Sequence, residues 1–85
     1  MGRLLAPSEA GVYAICDADG NYLYFGESHD IRRRLNEHMS DRDDCIHMYG
    51  PSRYAYELHP IEERRVARRK QLAMAYPTPC NQRHG

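Results

Sequence analysis

The chain has 85 residues, which suffices for one small domain with a modest hydrophobic core and leaves no room for a second of ordinary size. Hydrophobic residues make up 41% and charged residues 28% of it, a composition typical of a folded soluble domain and not of a disordered one. Twelve basic residues balance twelve acidic ones, and this net charge of zero, taken alone, argues weakly against nucleic-acid binding.

The cysteines and the hydropathy indicate where the protein works. The chain has three cysteines, which are widely spaced and include no C-x-x-C pair: Cys16, Cys45 and Cys80. An odd number with this spacing argues against a disulfide framework and suits a reducing compartment. No apolar run approaches the roughly 20 residues that span a membrane, and residues 1–7 do not form a secretion signal. We therefore expect a cytoplasmic domain with no membrane segment.

The first elements in chain order are two β-strands. Residues 11–15 and 22–25 are rich in aromatic and β-branched side chains, and the second run stops at Gly26. Between them, residues 17–21 read Asp-Ala-Asp-Gly-Asn, a turn cluster that can supply positive φ angles. This pattern predicts an antiparallel hairpin.

A short amphipathic helix follows over residues 31–39. Asp30 is positioned to cap it, and Ile31, Leu35 and Met39 recur at every fourth position. This spacing places the three apolar side chains on one face, which we expect to pack on the sheet.

The pattern of the second half of the sequence predicts three elements. These are a short helix at residues 45–49, a half-buried third strand at 53–58 and a helix at 61–76 that begins after Pro60. The order is β-β-α-(α)-β-α. It predicts an α+β fold with a three-stranded antiparallel sheet flanked by helices, as one domain over residues 1–85. The apolar residues that share a face of the last helix are Val66, Ala67, Ala73 and Met74.

Arginine dominates the basic residues, with eleven of the twelve, and most of them cluster in two helices. Its planar guanidinium group matches phosphate oxygens two at a time, so such clusters indicate phosphate contact. The competing interpretation is that they form solvated helix faces. The candidate phosphate-binding residues are Arg32, Arg33, Arg64, Arg65, Arg68 and Arg69.

Several chemically active side chains converge near the hairpin. Tyr13 and Tyr24 lie near the ends of paired strands, Gly26 permits a close backbone approach, and Arg34 and His38 are neighbours four residues apart on the next helix. Phosphodiester hydrolysis needs a base for water, a cation for the developing charge and donors that orient the phosphate. Each residue singly is explained by packing, but their joint spacing favours a phosphodiester site.

The same residues resemble a known family. Residues 11–13 (Gly-Val-Tyr) and 24–26 (Tyr-Phe-Gly) resemble the paired motif that names the GIY-YIG nuclease superfamily. Residues 28–38 resemble its next helix, and 76–81 resemble its proline-containing segment that ends in asparagine, so the similarity covers about residues 11–81. The resemblance implies the catalytic residues Tyr13, Tyr24, Arg34, His38 and Asn81.

The resemblance also implies an endonuclease that hydrolyses DNA with one Mg²⁺ or Mn²⁺ ion, held by a glutamate of the last long helix. Arg69 falls at the glutamate position (with different gapping, Lys70 or Gln71), and Glu27 stands where DNA-repair relatives often carry lysine. The metal ligand is therefore unknown: Gln71 offers only a neutral carbonyl oxygen, and Glu57, Glu62 or Glu63 would serve only if the helix register or the strand pairing differs. An alternative is a domain that has lost the ion and only binds nucleic acid or a protein. Expected partners are single-stranded or structured DNA, with RNA and a homodimer left open.

Overall fold

A computed structural model of the chain describes residues 6–84, with side chains described as far as Asn81. The N-terminal residues 1–5, part of the segment judged not to be a secretion signal, and residue 85 lie outside the described part. The elements are β1 (Gly11–Asp17), β2 (Tyr22–Ser28), α1 (Ile31–Ser40), a 3-10 helix (Cys45–Met48), β3 (Pro51–Leu58), α2 (Glu62–Ala75) and α3 (Pro79–His84). The predicted order is confirmed, with α3 in addition.

The hairpin turn forms as its sequence predicts. The carboxylate of Asp17 accepts hydrogen bonds from the backbone N–H groups of Asp19 at 3.0 Å and Asn21 at 2.8 Å. Gly20 has a φ of 87°, a conformation that glycine adopts without strain. Local hydrogen bonds therefore close the turn and bring the two strands into register.

β1 is the central strand of the antiparallel sheet, whose order is β2-β1-β3. Tyr13 lies opposite Gly26 on one side and opposite Tyr56 on the other. The prediction that β3 is half buried is wrong, since Tyr56 and Leu58 are 47% and 48% exposed. β3 stays open because it lies at a sheet edge while α2 packs chiefly on β2.

The main core lies between one face of the sheet and α1, the 3-10 helix and α3. The α1 prediction is confirmed: Ile31 and Leu35 are buried, and Asp30 accepts a hydrogen bond from the N–H of Arg33 at 3.1 Å. This core holds α1 firmly against the two tyrosine-bearing strands. Its other members include Tyr13, Ile15, Leu23, Ile46 and Cys80.

The predicted apolar face of α2 is wrong except at Ala73. Met74 is 83% exposed, and the side of α2 that meets the sheet carries Arg65 and Leu72 together with Ala73. The sheet offers α2 only a small apolar patch, so charged pairs supply much of this contact. Leu72 and Ala73 pack against Ala14, Cys16 and Phe25.

The expectation of unpaired cysteines is also wrong. Cys45 and Cys80 form a disulfide between the 3-10 helix and α3, with a Cα–Cα distance of 5.6 Å, whereas Cys16 is free and buried. The unpredicted α3 brings together two residues that are 35 positions apart in the chain. The inference of a reducing compartment therefore loses the support it drew from the cysteines. Within residues 6–84, no helix is long and apolar enough to cross a membrane.

Candidate active site

A hydrogen-bonded chain of three side chains is buried beneath the hairpin. The hydroxyl of Tyr13 lies 2.8 Å from Nε2 of His38, and Nδ1 of His38 lies 2.6 Å from Oδ2 of Asp44. In its neutral form His38 donates from Nδ1 to the Asp44 carboxylate and accepts at Nε2 from Tyr13. Tyr13 and His38 are only 1% and 3% exposed, whereas the Asp44 side chain, at 12%, is the member of the chain most open to solvent.

Tyr24 lies in front of this buried chain and is partly exposed. Its ring centroid is 6.2 Å from that of Tyr13 and 5.0 Å from that of His38. Burial raises the pKa of both tyrosines, and at Tyr24 the guanidinium groups of Arg34 and Arg69 oppose that rise. Tyr24 is therefore the phenol that meets the surface.

Gly26 makes room for Tyr13. A Cβ atom built on Gly26 would collide with the end of the Tyr13 ring and its hydroxyl. The two residues are directly opposite in the β1–β2 register. The absence of a side chain at Gly26 thus lets the Tyr13 hydroxyl reach His38.

Arg34 lies on α1 one turn before His38, and its Nη1 is 3.2 Å from Oε1 of Glu37. Both side chains of this pair are more than 40% exposed, at 42% and 48%, so water weakens their attraction. Arg34 therefore remains able to exchange Glu37 for another anion. A cleft of about 390 Å³ beside it is lined by Tyr24, Arg34, Glu37, His38, Asp41, Asp43, Asp44 and Cys45.

Asn81 lies at the outer edge of β2, where its side-chain amide bonds to the backbone of Phe25. Its Oδ1 accepts from the backbone N–H of Phe25 at 2.7 Å, and its Nδ2 donates to the Phe25 carbonyl at 2.8 Å. Thr78 donates its hydroxyl to the same Oδ1 at 2.5 Å. The amide thus pairs with β2 as a neighbouring strand would, and it fixes the strand that carries Tyr24.

Two of the arginines predicted to bind phosphate are engaged with carboxylates of the sheet. Nε of Arg65 is 3.1 Å from Oε2 of Glu27, and the Arg65 side chain is 8% exposed. Arg68 donates two hydrogen bonds of 2.9 Å to the carboxylate of Glu57. Arg68, with His59, lowers the pKa of Glu57 to about 2. Both arginines hold α2 on the sheet.

The other predicted arginines differ in their surroundings. Arg32 donates from Nε to the backbone carbonyl of Ala6 at 2.7 Å, and Arg33 lies 3.5 Å from a ring nitrogen of His29. Arg64 is exposed on α2, whereas Arg69 is partly buried and close enough for its charge to act on Tyr24. Arg34 and Arg69 both act electrostatically on the Tyr24 hydroxyl.

Three carboxylates near the tyrosines have basic partners. Glu27 pairs with Arg65, Glu37 pairs with Arg34, and Asp44 bonds to His38. Among residues 6–84 with described side chains, no three His, Cys, Asp or Glu residues gather closely enough to hold a metal ion. Asp41 and Asp43 also line the cleft beside Tyr24, but they belong to no such group, so the described residues do not fit a divalent cation.

Sequence reasoning missed Asp44 and the Glu27–Arg65 pair. Asp44 follows His38 by six residues within a polar turn, and no local pattern distinguishes it from Asp41 or Asp43. Glu27 and Arg65 are 38 residues apart and meet only through the packing of α2.

Comparison with solved structures supports the fold. The magnesium-bound GIY-YIG N-terminal endonuclease domain of UvrC from Thermotoga maritima aligns with a TM-score of 0.75 at 21% identity, covering 88% of this chain and 85% of that one. A point mutant of the same domain, bound to its catalytic divalent cation, aligns with a TM-score of 0.74 at 19% identity, covering 88% and 84%. At such identities the likeness shows the fold alone.

Comparison at the sequence level is more specific. No curated protein matches the chain significantly. The family model of the GIY-YIG catalytic domain, however, matches residues 9–72, which is more than half of the chain. The chain therefore belongs to the GIY-YIG family.

Proposed function

We propose that this domain is a GIY-YIG-type endonuclease that hydrolyses phosphodiester bonds in DNA. The observation that carries the proposal is the position of Tyr24, a partly exposed phenol beside Arg34 and directly in front of His38. A phosphate placed there has a guanidinium donor for its oxygens and a phenol that can orient a water molecule. The family membership supports the same reaction class.

In the proposed reaction, the oxygen of a water molecule attacks phosphorus and the bond to the leaving oxygen breaks. The proton lost by the water reaches the leaving oxygen through solvent, so that a phosphomonoester and an alcohol result. Arg34 stabilises the negative charge that builds on the phosphate oxygens, and Tyr24 holds the water. These are the groups we place in contact with the reacting atoms.

The hydrogen-bonded chain of Tyr13, His38 and Asp44 positions the Tyr24 ring for this reaction. Tyr13 and His38 contact the Tyr24 ring, at centroid distances of 6.2 and 5.0 Å. Because the Tyr13 hydroxyl bonds to His38 and is buried, we assign it to positioning Tyr24 and not to direct contact with water. Asn81 has a parallel role, since it holds the edge of β2.

The expected Mg²⁺ or Mn²⁺ ion finds no suitable ligand here. A divalent cation needs several oxygen ligands. Glu27, Glu37 and Asp44 are each paired with an arginine or histidine, and the described residues gather no group of three ligands. The proposed reaction therefore has no step at a metal ion.

A second candidate function is phosphodiester binding without hydrolysis. The observation that favours it is Arg69, a cation near Tyr24 on the helix where the family is expected to carry its metal-binding glutamate. Loss of the ion removes several kcal/mol of transition-state stabilisation, so binding would outlast cleavage.

The experiment that separates the two functions is an assay with end-labelled single-stranded, double-stranded and junction DNA, and a matched RNA strand. Each substrate is incubated with Mg²⁺, with Mn²⁺ and with EDTA. Cleavage by the wild type that is lost in Tyr24→Phe and Arg34→Ala would support the nuclease. Retained binding without cleavage under every condition would favour the second function.

A matched control guards against a contaminating nuclease. Arg53→Ala changes an exposed arginine of β3, outside the proposed site, and should leave both cleavage and binding unchanged. Cleavage that is equal in the wild type, Tyr24→Phe and Arg34→Ala would contradict the assignment of this site.

A further inference from the structure

One stripe of α2 directs its side chains at the sheet. Arg65, Arg69 and Leu72 are spaced four and three residues apart and so lie on the same face of the helix. Arg65 is buried in its pair with Glu27, and Leu72 packs against the small apolar cluster of Ala14, Cys16 and Phe25. Glu27 and Phe25 both belong to β2, so these two anchors hold Arg69 alongside the edge strand that carries Tyr24.

Arg69 differs from Arg65 and Arg68, the two other arginines of this helix that are not fully exposed. Arg65 and Arg68 pair with carboxylates, whereas Arg69 has no hydrogen bond or ion pair with any side chain in the described part of the chain. It is nevertheless partly buried, and its charge acts on the Tyr24 hydroxyl. Holding a partly buried guanidinium group without a counter-ion is costly, and an anion that enters beside Tyr24 would relieve that cost.

We propose that Arg69 and Arg34 together hold the non-bridging oxygens of a DNA phosphodiester at Tyr24, in a site that takes no divalent cation. The inference rests on the proposed function for the nature of the ligand. Arg34 comes from α1 and Arg69 from α2, so the two guanidinium groups reach Tyr24 from different elements. Each can donate two hydrogen bonds in the plane that phosphate oxygens prefer.

The charges around Tyr24 are exchanged relative to the pattern expected of the family. Arg69 stands where the family's metal-binding glutamate is expected, and Glu27 stands where relatives in DNA repair often carry a lysine. Glu27 does not replace the lost ligand, because Arg65 already occupies its carboxylate at 3.1 Å. A positive group at the ion's place repels Mg²⁺ and supplies part of its charge to the phosphate instead.

The first test measures metal binding without DNA. Mn²⁺ is titrated into the pure protein, and the loss of the free-ion paramagnetic resonance signal reports binding. We expect no specific binding by the wild type, and a gain in affinity of roughly tenfold or more in Arg69→Glu, which restores a carboxylate. Lys70→Glu is the matched control, because it makes the same charge change at the next, exposed position and should gain nothing.

The second test measures DNA binding in EDTA, with a fluorescent single-stranded oligonucleotide. We expect Arg69→Gln to bind about tenfold more weakly or worse, and its salt slope to fall by about one. Lys70→Gln removes one charge from the same helix and should bind like the wild type. Circular dichroism and thermal melts of each variant check that it folds, and Arg69→Met is a second variant if Arg69→Gln does not.

The outcomes separate the inference from the proposed function. Specific Mn²⁺ binding by the wild type, or Arg69→Gln that binds DNA like the wild type, would overturn the two-arginine site while leaving a nuclease intact. Wild-type protein that binds no DNA would overturn both the proposed function and the role of Arg69 in holding phosphate. Binding in EDTA that Arg69→Gln abolishes would support the two-arginine site, and cleavage in EDTA that it abolishes would support both the site and the nuclease.

Discussion

The guanidinium group of Arg65 and the carboxylate of Glu27 form a salt bridge of 3.1 Å between α2 and the edge strand β2. The apolar patch beneath α2 is small. The Arg65 side chain, which is only 8% exposed, therefore fills a position at this contact where an apolar side chain would ordinarily pack. The pair therefore determines where α2 sits, and with it the position of Arg69 near Tyr24.

Replacement of Arg65 should destabilise the fold. Arg65→Ala leaves the Glu27 carboxylate without its cation, so we expect the free energy of unfolding to fall by about 2–3 kcal/mol. This value is near the low end for a buried ion pair, because Glu27 keeps some contact with solvent. Urea denaturation measures it. Arg68→Ala breaks the more exposed pair with Glu57, which water screens, and should cost clearly less than Arg65→Ala. Equal losses in the two variants would contradict the burial argument.

Gly26 should tolerate no side chain. In Gly26→Ala the new methyl group meets the end of the Tyr13 ring, so either the ring or β2 must move, at a cost of about 1–3 kcal/mol. The near-ultraviolet circular dichroism of the tyrosines should change as well. Gly20→Ala is the comparison: nothing surrounds its Cβ position, so only backbone strain at φ 87° remains and the tyrosine signal should stay unchanged.

The buried tyrosines should make the protein sensitive to alkaline pH. Burial, followed by the neighbouring Tyr24, raises the pKa of Tyr13 above its ordinary value of 10.0. A group whose pKa is raised on folding contributes its stability fully below its unfolded pKa, and this contribution is lost as the pH rises through the folded pKa. The free energy of unfolding should therefore decline above about pH 10.

Tyr13→Phe tests that assignment. The variant loses the hydrogen bond to His38 and should be less stable at neutral pH by about 1 kcal/mol. Its decline above pH 10 should nevertheless be shallower than that of the wild type, because one phenol no longer ionises on unfolding. Denaturation at a series of pH values, with phenolate absorbance recorded in parallel, provides the measurement. Identical slopes would show that Tyr13 is not the group responsible.

The Cys45–Cys80 disulfide should contribute to stability and to the position of Asn81. It closes a loop with a sequence separation of 35, for which restriction of the unfolded chain predicts roughly 3–4 kcal/mol. Cys80→Ser should lower the free energy of unfolding by that order in the absence of reductant. Cys16→Ser changes the free cysteine and should leave the sensitivity to reductant unaltered. Mass spectrometry of alkylated protein, showing one reactive thiol in three, checks the pairing.

Local patterns were enough to predict most elements of this fold. The Asp-Ala-Asp-Gly-Asn turn closes through hydrogen bonds within five residues, and α1 begins at a cap three residues from its partner N–H group. Such signals are short in range, so the sequence reveals them without knowledge of the rest of the chain. The GIY-YIG-like motif also identified the strands and the helix that carry Tyr13, Tyr24, Arg34 and His38.

The buried face of α2 could not be read in the same way. Its helical periodicity favoured Val66, Ala67, Ala73 and Met74 as the core face, yet the side that meets the sheet carries Arg65. An arginine counts as polar in any local pattern. Whether it can be buried depends on a carboxylate elsewhere, here Glu27, which is 38 residues away in sequence.

The sequence by itself determined the order of the elements, the hairpin and the set of residue types that phosphodiester chemistry needs. Only the tertiary structure decided which of those residues meet: Tyr13 with His38 and Asp44, Asn81 with the backbone of Phe25, and Cys45 with Cys80. The physical reason is that capping, turn and periodicity signals act over a few residues. Hydrogen bonds, ion pairs and burial instead depend on distances in space, which packing of α2 and α3 on the sheet establishes.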